Sequence, residues 1–184
     1  MRWEALFGDL EAQAEALAAA ELHAEVADRT RREQGLLRLV DRLREAEGHP
    51  LAVTVAGAGV VHGRLLDAGT DWLLLAETGA RELLVPLASV LGVTGIGVRT
   101  AVPGSEGEVG RRLDLRWALR GLARDRAGVA VVLRDGSTVS GTLDRVGADH
   151  VDLAEHPPGE ARRAVAVRQV RVVPLDAIAL LRSS

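Results

Sequence analysis

The strongest constraint on this chain is a match to itself. Displaced by 78 positions, Ala52–Glu77 aligns with Ala130–Glu155, and ten of the 26 pairs are identical. They include Val53/Val131, Val61/Val139, Gly63/Gly141, Leu65/Leu143, Gly69/Gly147, Asp71/Asp149 and Leu75/Leu153. A duplicated segment carries the same folding instructions twice, so the pattern of one copy has to make sense in the other. Both copies consist of short, β-branched-rich runs cut by Gly or by Asp-Gly, as at Asp135-Gly136, which is the pattern of strands joined by tight hairpins. Further on, Val85-Pro86-Leu87-Ala88-Ser89-Val90 matches Val173-Pro174-Leu175-Asp176-Ala177-Ile178 at an offset of 88. The second copy therefore carries about ten extra residues in its third or fourth strand, or in the hairpin between them. Proline cannot donate to a ladder, so Pro86 and Pro174 should each end a strand and open a short turn before the last one. Each copy reads as five short strands.

A helix should precede each copy. Leu36, Leu39, Val40 and Leu43 share one helical face, as do Leu115, Ala118, Leu119 and Leu122. Gly48-His49-Pro50 and Gly128 then break the helix before the first strand. Trp3, Phe7, Leu10, Ala14 and Leu17 form a narrow apolar seam near the N-terminus, which predicts a helix that bends, ends or changes partner near Ala18–Glu21. Glu25/Arg29 and Asp28/Arg32 are favourable i, i+4 pairs in the next stretch. The expected layout is an N-terminal helical arm (1–30), a first module (31–98), a linker (99–110) around Pro103-Gly104-Ser105-Glu106-Gly107, and a second module (111–184). The modules are small enough that they should pack together.

A helix and then five strands, with V-x-V, G-x-L, G-x-D-x-x-x-L and a closing V-P-L-x-x-[VI], resembles the Sm-like (LSm) barrel. The residues that carry the resemblance are Val53, Val55, Gly63, Leu65, Asp71 and Leu75, with Val131, Leu133, Gly141, Leu143, Asp149 and Leu153. The opening MRWEALFGDLEAQ also resembles an actinobacterial family without an assigned activity, some of whose members carry a transcriptional-regulator label. The resemblance implies an α+β protein: a helical arm followed by two tandem helix-plus-five-stranded small SH3-like β-barrels. It does not carry an RNA site with it. Leu73 and Val151 stand where RNA-binding Sm proteins hold a base-contacting Asn, and the chain has no Asn at all.

Composition and spacing narrow the possible chemistry. With no cysteine in 184 residues, disulfides, thiol nucleophiles and Cys-ligated metals are excluded. His23, His49, His62, His150 and His156 lack metal-ligand spacing and are expected as solvated loop or strand histidines. Gly57-Ala58-Gly59-Val60-Val61-His62 reads as a hairpin, because it leads into a strand and not into the helix a dinucleotide loop requires. Ser89, Ser105, Ser137 and Ser140 lack a nucleophile-elbow setting. No catalytic residue, metal or cofactor is expected, and the protein is not expected to be an enzyme. Gly63, Asp71, Gly141 and Asp149 are expected as structural turn residues. Trp72, aligned with His150, should serve core packing or a contact between modules. The acidic N-terminus and the lack of a long apolar run predict a cytoplasmic protein with no membrane partner.

All 23 basic residues are Arg, a bias that tracks G/C-rich codons and is no evidence of nucleic-acid binding by itself. Residues 99–127 nevertheless carry a local charge of +3 in a chain of net charge −3. There Arg112, Arg116, Arg120 and Arg124 form a ridge beside Trp117, which could face water, an acidic protein surface or phosphate. The leading expectation is a non-catalytic interaction or scaffold protein that meets a protein, itself or another, through the N-terminal helix seam. The alternative is an RNA- or DNA-binding regulatory protein that uses the Arg ridge; nucleic acid is possible but not favoured. A ligand cleft between the modules is a feature that sequence cannot display.

Overall fold

Residues 2–79, 81–101, 113–158 and 167–183 are described by the computed structural model of the protein. No proline precedes Pro50 and the stretch is rich in Ala and Glu, the conditions for an uninterrupted helix. Helix α1 (Arg2–Gly35) accordingly passes through Ala18–Glu21 without ending. Among the described residues the pairs it forms are Arg29–Glu33 at 3.0 Å and Arg31–Asp28, in place of the two expected ones. Each arginine has several carboxylates within one turn, so spacing alone does not select its partner. Helix α1 belongs to one compact unit; the other begins at Arg38 and holds every strand among the described residues.

In that second unit, helix α2 (Leu39–Glu45) precedes β1 (Pro50–Val55), β2 (Gly59–Ala68), β3 (Trp72–Ala76), β4 (Glu82–Pro86) and β5 (Val90–Thr94). Helix α3 (Leu115–Arg124) precedes β6 (Gly128–Leu133), β7 (Thr138–Val146), β8 (His150–Glu155), β9 (Gln169–Pro174) and β10 (Ile178–Ser183). Of the predicted helix faces, Val40, Leu43, Leu115 and Leu119 are buried, while Leu36 and Leu39 are exposed. The hairpins expected at Gly57–Gly59 and Asp135-Gly136 are present, with positive φ at Gly57, Gly59 and Gly136. Both prolines end a strand and open a single 3-10 turn, as expected. The additional residues of the second copy fall between β8 and β9. Residues 102–112 and 159–166 lie outside the described residues, and with them the predicted Pro103–Gly107 linker.

The two expected barrels are not what forms. Among the described residues all strands join one open antiparallel sheet of ten, in the order β5-β1-β2-β3-β4-β10-β6-β7-β8-β9. Closing either half would require β5 to bond β4, and β10 to bond β9. Instead β10 bonds β6 on one side and β4 on the other, through Leu181↔Leu84 and Arg182↔Leu83. Hydrophobic patterning defines which face of a strand is buried, but not which neighbour completes its edge. The cores cross the same joint. Val132, Ala179 and Leu180 pack with the first half's Val53, Leu65, Leu75 and Leu83, whereas Trp72 and Leu84 pack with the second half's Leu143, Leu153, Val173 and Ile178.

Candidate interaction surfaces

Helix α3 is anchored by both halves of the sheet. Its N-cap, Asp114, accepts the Trp117 N–H at 2.8 Å, and Asp71 from the first half accepts the Leu115 N–H at 2.7 Å. Carboxylates placed there satisfy helix N–H groups that have no partner within the helix. Just upstream, the Leu113 carbonyl accepts the Trp72 Nε1–H at 2.9 Å. Partial burial pushes the Asp114 carboxyl up, but hydrogen bonds from Arg116 and the Trp117 N–H, with the charges of Arg116 and Arg120, leave it below the ordinary carboxylate value.

These contacts revise the expected turn residues. Asp71 ties α3 to the sheet instead of only fixing its own turn. Asp149, at the aligned position, is exposed and pairs with His150 Nδ1 at 2.8 Å, an interaction that holds its carboxyl below the ordinary value. Gly63 and Gly141 are not in turns but within β2 and β7. A Cβ at Gly63 would stand 2.8 Å from the Ala76 carbonyl oxygen, and one at Gly141 would stand 2.1 Å from that of Ala154. Their common requirement is close approach of the neighbouring strand.

The Arg ridge is partly neutralised by its own helix. Arg116 pairs with Asp114 at 2.7 Å and Arg124 with Asp125 at 3.2 Å; Arg120 is exposed, and Arg112 lies outside the described residues. Trp117 is 53% exposed, at the edge of a cleft of about 270 Å³ that lies between α3 and the β4–β10 joint. The floor is apolar, made by Trp72, Leu84, Val129 and Leu181, and the charged residues of the lining are Asp67, Glu82 and Asp125, with no basic one. The cleft exists because α3 presents Ala118 and Gly121 towards the joint; a Cβ on Gly121 would meet nothing within 4 Å. Sequence reasoning placed Trp117 but missed Gly121, whose meaning depends on which strands run beneath it.

A second pair of surfaces is formed by the two ends of the sheet. Among the described residues, strand β5 is bonded only to β1, and β9 only to β8. Leu91 on β5 is 72% exposed, and Val170 and Val172 on β9 are 56% and 61% exposed. Exposed apolar strand edges are templates for pairing with another chain. The offset of 88 equates Val172 with Leu84 and Val93 with Leu181, the two residues that face each other, buried, at the internal joint.

Of the N-terminal seam, Phe7 and Leu17 are exposed; the side chains of Trp3, Leu10 and Ala14 lie outside the described residues. His156 departs from expectation, since it is buried: its Nδ1 lies 3.0 Å from the Pro157 carbonyl and its Nε2 2.8 Å from the Thr142 hydroxyl. Among the described residues no group of three His, Asp or Glu side chains is arranged to hold a metal ion, and no helix is long and apolar enough to cross a membrane. The chain matches no protein-family model and no curated protein, so the Sm-like and actinobacterial resemblances rest on the residue patterns alone.

Proposed function

We propose that this protein is a non-catalytic scaffold whose copies associate head to tail, the β9 edge of one chain pairing with the β5 edge of the next. One observation carries the reading. The internal joint pairs the fourth strand of one half with the fifth strand of the other, and the free ends are the remaining fifth and fourth strands. The residues buried at that joint, Leu84 and Leu181, have aligned mates on the free edges, of which Val172 is largely exposed. Copying the joint between chains sets Val93 opposite Val172 and Thr94 opposite Arg171. Such a contact is heterologous, so it propagates into a ring or a filament. Self-association thus moves from the helical seam, where the sequence pointed, to the ends of the sheet.

The alternative, RNA or DNA binding through the Arg ridge, draws less support because Arg116 and Arg124 are engaged with carboxylates.

Mass photometry and light scattering on the full chain, Leu91→Lys and Val172→Lys test assembly. Each variant disables one edge and leaves the other intact. The wild type should associate with rising concentration, each variant alone should be monomeric, and an equimolar mixture of the two should stop at the heterodimer. A wild type that stays monomeric, or variants that associate as the wild type does, would overturn the proposal.

A further inference from the structure

We infer that the cleft between α3 and the β4–β10 joint is a recognition site for a basic side chain, arginine or lysine, presented by a partner protein beside an apolar residue. The inference concerns a different surface from the sheet edges and does not depend on assembly. Volume restricts the ligand first. At about 270 Å³ the cleft is at or below the low end of pockets that enclose drug-sized molecules, roughly 300 Å³. It suits one or two side chains better than a nucleotide.

Its walls define the chemistry. Leu84 and Leu181 offer an apolar floor, and the Trp72 Nε1–H is already donated to Leu113, leaving the Trp72 ring as a packing surface. Trp117 remains half exposed at the mouth, where an aromatic face attracts a cation and packs the methylene stem behind it. The charges of the lining are all negative. Asp125 is bridged to Arg124, but the Glu82 carboxylate makes no hydrogen bond or ion pair among the described residues. Asp67 also acts on Glu47, which is not part of the lining: the Glu47 carboxyl is raised by partial burial and by the charge of Asp67, with Arg44 offsetting only part. An arriving cation would relieve that excess of negative charge; an anion would add to it.

The cleft is also specific to one half. Helices α2 and α3 precede equivalent strands, and when the Leu36/Leu39/Val40/Leu43 spacing is matched to Leu115/Ala118/Leu119/Leu122, α2 carries Leu39 and Arg42 where α3 carries Ala118 and Gly121. Small residues open the site over the joint, and large ones stand at the corresponding place on α2.

Titration of the full-length protein with acetyl-Leu-Arg-Leu-amide, acetyl-Leu-Lys-Leu-amide and acetyl-Leu-Glu-Leu-amide tests this, read by the indole NMR signals of Trp117 and Trp72. Both basic peptides should shift the Trp117 signal, and raising salt to about 0.5 M should weaken binding. Gly121→Met, which fills the cleft, and Trp117→Ala should each lower affinity by about tenfold or more; Glu82→Gln should cost about threefold. Gly121→Ala should bind as the wild type does, which separates blocking from damage to the helix. Equal binding of the acidic peptide, indifference to Gly121→Met, or no shift with any peptide would overturn the inference.

Discussion

The two halves of the sheet share a pattern, yet the same position in each can meet a different environment. Leu84 on β4 is buried against Leu181, whereas Val172, its counterpart on β9, is mostly exposed. Trp72 is buried and bonded to the chain ahead of α3, while the aligned His150 is part-exposed and bonded to its neighbour Asp149. Both halves preserve the features internal to their own strands. The Leu87 N–H donates to the Asp71 carbonyl and the Leu175 N–H to that of Asp149; β2 and β7 are irregular at Leu65/Asp67 and at Leu143/Arg145. Differences gather where a half meets something outside itself, either the joint or helix α3.

The comparison can be broken most severely at the joint. Leu84→Ala should lose about 2–5 kcal/mol of unfolding free energy. Val172→Ala should stay within about 0.5 kcal/mol when measured in urea at concentrations too low for association. A similar cost at both positions would mean that β9 is not a free edge. The paired glycines come next. A Cβ at Gly69 would lie 2.2 Å from the buried Trp72 ring and 2.6 Å from the Leu113 carbonyl oxygen, so Gly69→Ala should cost about 1–3 kcal/mol. At Gly147 the obstacle is the His150 ring at 2.6 Å, which is part-exposed and can swing aside. Gly147→Ala should therefore cost less than about 1 kcal/mol.

Smaller still is the aspartate pair. Asp71→Ala removes an acceptor from the start of α3 and should cost about 1 kcal/mol, whereas Asp149→Ala, at an exposed position, should leave stability nearly unchanged. Equal losses would show that both aspartates merely shape their turns.

Acid provides the mildest test. Among the described residues the carboxyls held below their ordinary values, Asp114, Asp135, Asp149 and Glu155, all belong to the second half. For Asp135 the cause is hydrogen bonding from Ser137, and for Glu155 from Arg171. A depressed carboxyl contributes stability that is complete above its unfolded value and is lost as pH falls through its folded one. Between about pH 5 and pH 3, amide exchange in β7, β8 and α3 should accelerate before exchange in β1–β3. The reverse order would break the contrast.

Much of the local structure was legible. Pro86 and Pro174, the Asp135-Gly136 hairpin and the Leu115/Leu119 face each act through a few neighbouring residues, so spacing sufficed to place them. Trp117 was identified as part of an interaction surface because it stands in the Arg ridge. The cleft beside it was not legible. It depends on Leu84, Leu181 and Gly121, which are far apart in the chain and meet only once β4 and β10 are joined. His156 was misjudged for a related reason: its burial comes from Thr142 on a strand reached through the fold.

The sequence by itself determined the strands, their hairpins and the buried Leu115/Leu119 face of α3, because period, turn chemistry and proline act over short stretches of chain. The tertiary structure decided whether each half closes on itself or opens into its neighbour. Strand edges present the same backbone N–H and C=O groups whatever the residues along them, so their partner is selected by geometry between distant segments. Among the described residues that selection produced one open sheet, a cleft over its centre and two unpaired ends.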